Sequence, residues 1–286
     1  MRMARRSVLA SMTAVLTSAC SPTALLNAVA PRDGVSVTSG IPYAPGDRHA
    51  LDLYAPAAAR DAPVVVFLYG GGWESGDRGM YRFVGASLAA AGVVCAIPDY
   101  RVWPEVRSPL FLDDAAQAVA WTQANVTSHG GDPRRLFLMG HSAGAQMATM
   151  LALDPSYLGT VGMNPARDLR GVVGLSGPYD FLPLVSPTLK SIFGPEDTWP
   201  QSQPINFVTP GAPPMFLATG DADTTVLPRN TERLAARLRA DGDAVETTVY
   251  PGVGHAAVIG AFAAPLTFIA PVRRDVLRFI AERSAA

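Results

Sequence analysis

Five near-continuous apolar runs limit what this chain can become: Val64–Leu68, Val93–Ile97, Leu136–Met139, Val172–Leu175 and Met215–Thr219. Each is four or five residues long and none alternates apolar with polar. Such runs fit strands buried on both faces of a parallel sheet. Three more strands are predicted at Val35–Ser39, Ala50–Tyr54 and Val245–Tyr250. Helical patterns fall between them at Tyr81–Ala91, Pro109–Asn125, Ala145–Leu153, Pro228–Ala240 and Pro271–Ser284. Alternation of this kind predicts βαβ units and a mostly parallel, doubly wound α/β sheet of about eight strands. The first two strands are close in sequence and read as an antiparallel hairpin at one edge.

One stretch breaks the rhythm. Gly177 to Pro214 holds nine prolines and no strong period. A plain connection between two strands is far shorter. Residues 177–214 are therefore read as an irregular cap over one sheet edge, within a single domain spanning 35–286. With 286 residues, 49% of them apolar, the chain can bury one large core.

The strand Leu136–Met139 runs into Gly140-His141-Ser142-Ala143-Gly144 and then a helix. That is G-x-S-x-G between strand and helix, the context of a nucleophilic serine held on a sharp turn. There the Ala143 N–H and the helix N-terminus face any charge developing at Ser142.

A serine hydroxyl needs a base. His255 follows the last strand in a glycine-rich turn, Pro251-Gly252-Val253-Gly254. His49 and His129 precede the serine, and His141 adjoins it on a tight elbow, so His255 is the candidate. The acid belongs after the preceding strand, where Gly220-Asp221-Ala222-Asp223 offers two carboxylates. Asp223 lies deeper in the loop and is preferred; Asp221 is read as a brace for the turn.

Tyr69-Gly70-Gly71-Gly72-Trp73 follows the run Val64–Leu68. Such glycines expose backbone N–H groups to a phosphate or to an oxyanion. A phosphate loop would continue G-K-[ST], and a dinucleotide loop would read G-x-G-x-x-G. Trp73-Glu74-Ser75-Gly76-Asp77-Arg78 meets neither. The glycines Gly70-Gly71-Gly72 are read as the second half of an oxyanion hole.

Taken in order, Gly70-Gly71-Gly72-Trp73, Asp99-Tyr100-Arg101, Gly131-Asp132-Pro133, Gly140-His141-Ser142-Ala143-Gly144, Gly220-x-x-Asp223 and Gly254-His255 resemble the α/β-hydrolase carboxylesterases. The branch is that of the acetylxylan/feruloyl-esterase-like and hormone-sensitive-lipase-like esterases, with kynurenine formamidases as near relatives. The resemblance covers roughly residues 35 to 284. It implies Ser142, Asp223 and His255 as a catalytic triad, Gly71, Gly72 and Ala143 as oxyanion donors, no cofactor, and hydrolysis of short-chain acyl or acetyl esters through an acyl-enzyme. The substrate would be a small molecule or an ester carried on a polysaccharide. An amide hydrolase of the same fold, or a non-catalytic binding member, is the alternative. The family usually has a histidine before the three glycines, where this chain has Tyr69. Tyr69 is read as bracing the loop or narrowing the pocket mouth, Trp73 as a further substrate contact, and Asp99 and Arg101 as a structural pair.

Three expectations concern partners and location. A formal net charge of −1 gives no sign of a nucleic-acid footprint, and no nucleic-acid partner is expected. The histidines and cysteines lack metal-ligand spacing, so no metal is expected. Residues 1–19 read as an export signal: Arg5-Arg6-Ser7-Val8-Leu9 resembles a twin-arginine start. Leu16-Thr17-Ser18-Ala19-Cys20 resembles a lipobox that would anchor the chain to a membrane through lipidated Cys20, plain secretion being the alternative. A flexible linker, 20–34, would follow.

Overall fold

The computed structural model describes residues 22–285; the export signal and Cys20 lie outside them. One eight-stranded sheet forms from β1 (Val35–Pro42), β2 (Ala50–Pro56), β3 (Ala62–Leu68), β4 (Val94–Pro98), β5 (Gly131–His141), β6 (Gly171–Leu175), β7 (Met215–Gly220) and β8 (Val245–Tyr250). The helices are α1 (Pro22–Ala28), α2 (Arg82–Ala89), α3 (Leu110–Asn125), α4 (Ala143–Leu153), α5 (Pro155–Gly159), α6 (Pro165–Asp168), α7 (Pro187–Phe193), α8 (Arg229–Ala240), α9 (His255–Gly260) and α10 (Val272–Ser284).

The strand order is β1-β2-β4-β3-β5-β6-β7-β8. β1 pairs antiparallel with β2, and β2 with β4; every later pairing is parallel. The apolar runs explain this. Val64 to Leu68, Leu136 to Met139 and Met215 to Ala218 are fully shielded from solvent. Side chains of one strand point to opposite faces, so both faces must be covered. α3 and α4 pack on β3 and β5, α2 on β2 and β4, α10 on β3 and β6, and α8 on β7 and β8. Cys95 lies buried in β4 as a small apolar side chain, and burial pushes its thiol pKa up.

Register carries the fold to the site. Leu68 stands opposite Gly140, His141 opposite Leu175, and Gly220 opposite Tyr250. The loops bearing the glycine run, the serine, the aspartates and the late histidine thus leave one edge of the sheet together.

Two expectations are corrected. The described part of the linker, from residue 22, is not slack. α1 packs on α2, and the Asn27 side chain donates to the Gly79 carbonyl (2.7 Å) and accepts the Phe83 N–H (3.0 Å). Asp99 and Arg101, read as a pair, take other partners. Asp99 pairs with Arg78, while Arg101 pairs with the buried Asp114 of α3 (2.6 Å). Among the described residues no helix is long and apolar enough to cross a membrane.

Candidate active site

The serine turn is built by steric exclusion. Ser142 adopts φ 56° and ψ −125°, a strained conformation for a residue with a β-carbon. Its N–H donates to the Leu175 carbonyl (2.9 Å), which fixes it to the end of β6. A β-carbon on Gly140 would lie 2.1 Å from the Gly144 carbonyl oxygen, and one on Gly144 would lie 2.0 Å from that of Leu68. Only glycine fits either side of this serine.

His255 opens α9, and its Nε2 lies 2.9 Å from Ser142 Oγ. Its Nδ1 lies 2.8 Å from Asp223 Oδ2. The carboxylate only accepts, so Nδ1 carries the proton and the Nε2 lone pair faces the serine hydroxyl. Asp223 is buried, and its other oxygen accepts the Thr225 N–H (3.0 Å) and the Val226 N–H (2.9 Å). Asp221 is turned away and accepts the Gly252 N–H (2.6 Å), bracing the histidine loop.

His141 supports His255 from below. Its Nε2–H donates to the His255 carbonyl (3.1 Å), and the two rings stand 4.8 Å apart. Burial, and then the nearby His255, push its pKa down from 6.5 to about 3. His141 is therefore neutral in the fold, while the unfolded chain takes up a proton below about pH 6.5. Its contribution to stability is complete above that pH and is lost as pH falls towards 3, at up to about 1.4 kcal/mol per pH unit. His141→Gln keeps a donor for the His255 carbonyl but cannot titrate. Its urea midpoint is expected to drop less than that of the native chain between pH 7 and pH 4.5; parallel losses would rule this out.

The glycine loop meets the serine directly. A β-carbon on Gly70 would lie 3.0 Å from that of Ser142. Gly72 and Ala143 both line the cavity that contains Ser142. Among the described residues, neither the Gly72 nor the Ala143 N–H has a hydrogen-bond acceptor. Gly71 does not line that cavity. Its N–H likewise has no acceptor among the described residues, while its carbonyl accepts the Glu74 N–H (3.1 Å) and the Ser75 N–H (3.0 Å).

Tyr69 requires a correction, because it is not a substrate contact. Its side chain is fully buried, stacked between Tyr81 and Tyr100. Its hydroxyl donates to Asp99 (2.9 Å) and accepts from Arg48 (3.0 Å). Arg48 also donates to the Gly76 carbonyl (2.7 Å), and the Tyr100 hydroxyl donates to the Tyr69 carbonyl (2.6 Å). Tyr69 therefore anchors the glycine loop and leaves the pocket mouth alone. Trp73 does line the cavity, with its ring stacked on Phe181 and edge-on to Phe193.

The cavity holds about 490 Å³ and is walled by Trp73, Phe181, Leu182, Leu184, Val226 and Leu227. Three of these six belong to the cap, which thus shapes the site. Arg229 and Asn230 add polar atoms at the α8 side. Trp103 and Trp199 are not among the lining residues. The residues that sequence reasoning missed are those of the cap. Their signal was the apolar cluster Phe181-Leu182-Pro183-Leu184-Val185 in an otherwise irregular stretch.

The family model described as BD-FAE matches residues 51–238. A probable isoprenylcysteine alpha-carbonyl methylesterase of Oryza sativa is 31% identical over 241 residues, which cover 77% of this chain and 57% of that protein. Esterase LipC of Mycobacterium tuberculosis is 31% identical over 214 residues, covering 68% and 53%. The chain spans about half the length of these curated relatives. Among solved structures, esterase B of Lactobacillus rhamnosis, inhibited by a tributyrin phosphonate, aligns with a TM-score of 0.80 at 20% identity over 92% of this chain and 91% of that one. A truncated carbohydrate esterase from gut microbiota aligns at 0.78 and 21%, over 90% and 99%. These two share the α/β-hydrolase fold with the present chain.

Proposed function

Because the chain belongs to the BD-FAE family, we propose that it is a serine carboxylesterase acting on short-chain acyl or acetyl esters. The observation that carries this reading is the unbroken relay from Ser142 through His255 to Asp223, with contacts of 2.9 and 2.8 Å, opening into an apolar cavity. The names of the relatives, esterases and methylesterases, agree with it.

The chemistry follows from the geometry. Ser142 Oγ attacks the ester carbonyl as His255 Nε2 takes its proton. Asp223 holds the Nδ1–H tautomer and stabilises the imidazolium. The carbonyl oxygen gains negative charge beside the Gly71, Gly72 and Ala143 N–H groups, none of which has another acceptor among the described residues. His255 then returns the proton to the departing alcohol, leaving the acyl group on Ser142. Water, deprotonated by His255, releases the acid and restores the serine. Arg5-Arg6 and the stretch ending at Cys20 support an exported enzyme, lipid-anchored through Cys20 or freely secreted.

The test is a panel of p-nitrophenyl esters of rising acyl length, with acetylated xylan and N-formylkynurenine, and Ser142→Ala as the blank. The expected result is turnover of esters from acetate to butyrate that falls for longer chains. A preference for N-formylkynurenine would replace the esterase reading with an amide-hydrolase one.

A further inference from the structure

Gln146 lies on α4, one turn beyond Ser142, and is 1% exposed. Its Oε1 accepts the indole N–H of Trp73 (3.2 Å), and its Nε2 donates to the Ser202 carbonyl (2.9 Å). The two partners fix the orientation of the amide, since an indole nitrogen only donates and a backbone carbonyl only accepts. One side chain thus spans the glycine loop and the cap.

These contacts belong to a closed circuit. Gln203 donates to Ser202 Oγ (2.7 Å), and its own Oε1 accepts the Phe181 N–H (2.7 Å). The Phe181 ring stacks on Trp73, which returns the circuit to its start. Trp73, Gln146, Ser202 and Gln203 are all buried.

Trp73 itself is strained. It has φ 60° although it carries a large side chain, and it directly follows Gly72. A residue in that region persists only where its surroundings over-determine it. Its carbonyl accepts the Trp103 N–H (2.8 Å), its ring is held by Phe181 and Phe193, and its N–H is held by Gln146. Releasing one hold lets the strain relax by rotation about the Trp73 N–Cα bond; the Gly72–Trp73 peptide moves first and, through the Gly72 α-carbon, shifts the neighbouring peptide that bears the Gly72 N–H.

From this circuit we infer that Gln146 is a positioning residue for the oxyanion donor, acting through Trp73 and linking the cap to the chemistry at Ser142. The inference rests on the esterase reading above. The cap wall and the oxyanion loop then move as one body, so pressure of a substrate on Phe181 reaches Gly72.

The test uses Gln146→Met, which fills similar volume without polar atoms, and Trp73→Phe, which keeps a ring but deletes the same hydrogen bond from its other end. Each is assayed on p-nitrophenyl acetate for kcat and KM separately, and for the rate of inactivation by diethyl p-nitrophenyl phosphate. Each variant is expected to lose roughly 10- to 100-fold in kcat, the scale of a small misplacement of a reacting group, with KM changed by less than about threefold. Phosphorylation should slow in parallel. The double variant should be no worse than the poorer single one, because both remove one interaction. Unchanged kcat with a lowered melting temperature, a rise in KM alone, or additive losses would each overturn the inference. If Gln146→Met does not fold, Trp73→Phe decides the matter by the same criteria. An inactive native chain would sink the esterase reading and this inference together, whereas an active native chain with unaffected variants would sink this inference alone.

Discussion

Ser142→Ala is expected to lower kcat on p-nitrophenyl acetate by about 10⁵- to 10⁶-fold while the protein stays folded. The reason is specific to the relay. His255 Nε2 has its lone pair aimed at Ser142 Oγ from 2.9 Å, and removing that oxygen leaves nothing for it to deprotonate but water. The turn itself survives, because its shape is enforced by Gly140 and Gly144 and by the Ser142 N–H bond to Leu175, none of which involves the hydroxyl. Thermal unfolding should shift by no more than a few degrees. Turnover within tenfold of the native chain would remove Ser142 from the mechanism.

Asp223→Asn should cost about 10⁴-fold in kcat, whereas Asp221→Asn should stay within a few-fold. The asymmetry follows from how each carboxylate is held. Asp223 Oδ1 is pinned by the Thr225 and Val226 N–H groups. In the asparagine variant only the amide oxygen can take that position, so the NH₂ group must face His255 Nδ1. The imidazole then has to turn to its other tautomer, placing a proton between Nε2 and Ser142 where a lone pair is needed. Asp221 accepts one N–H, from Gly252, and an asparagine oxygen accepts it equally. Equal losses in the two variants would mean that the acid has been misassigned.

The sequence made the sheet legible because its strands are buried on both faces, and continuous apolar runs leave few other options. It made the serine turn legible because two β-carbon clashes allow only glycine around Ser142. The late histidine and its acid followed from the order of loops along one sheet edge. What stayed hidden depends on contacts far apart in the chain. Asp99 was paired with its neighbour in sequence, yet folding brings it to Arg78 and Tyr69. Gln146 looked like one more polar residue on a helix. Its partners lie 73 and 56 positions away, and no local pattern announces them. The helix Pro22–Ala28 was missed for the same reason, since its anchor is the long-range contact from Asn27 to Gly79 and Phe83.

Tyr69 has one further consequence, which concerns acidity. The related esterases usually have histidine at this place, a side chain that changes charge near neutral pH. Burial here drives the Tyr69 phenol pKa far up, and Tyr81 and Tyr100 on either side of it are raised by the same cause. None of the three gains or loses a proton across the range in which a histidine would. The glycine loop therefore rests on rings of constant charge, so a change of medium from mildly acidic to mildly basic leaves its footing as it was.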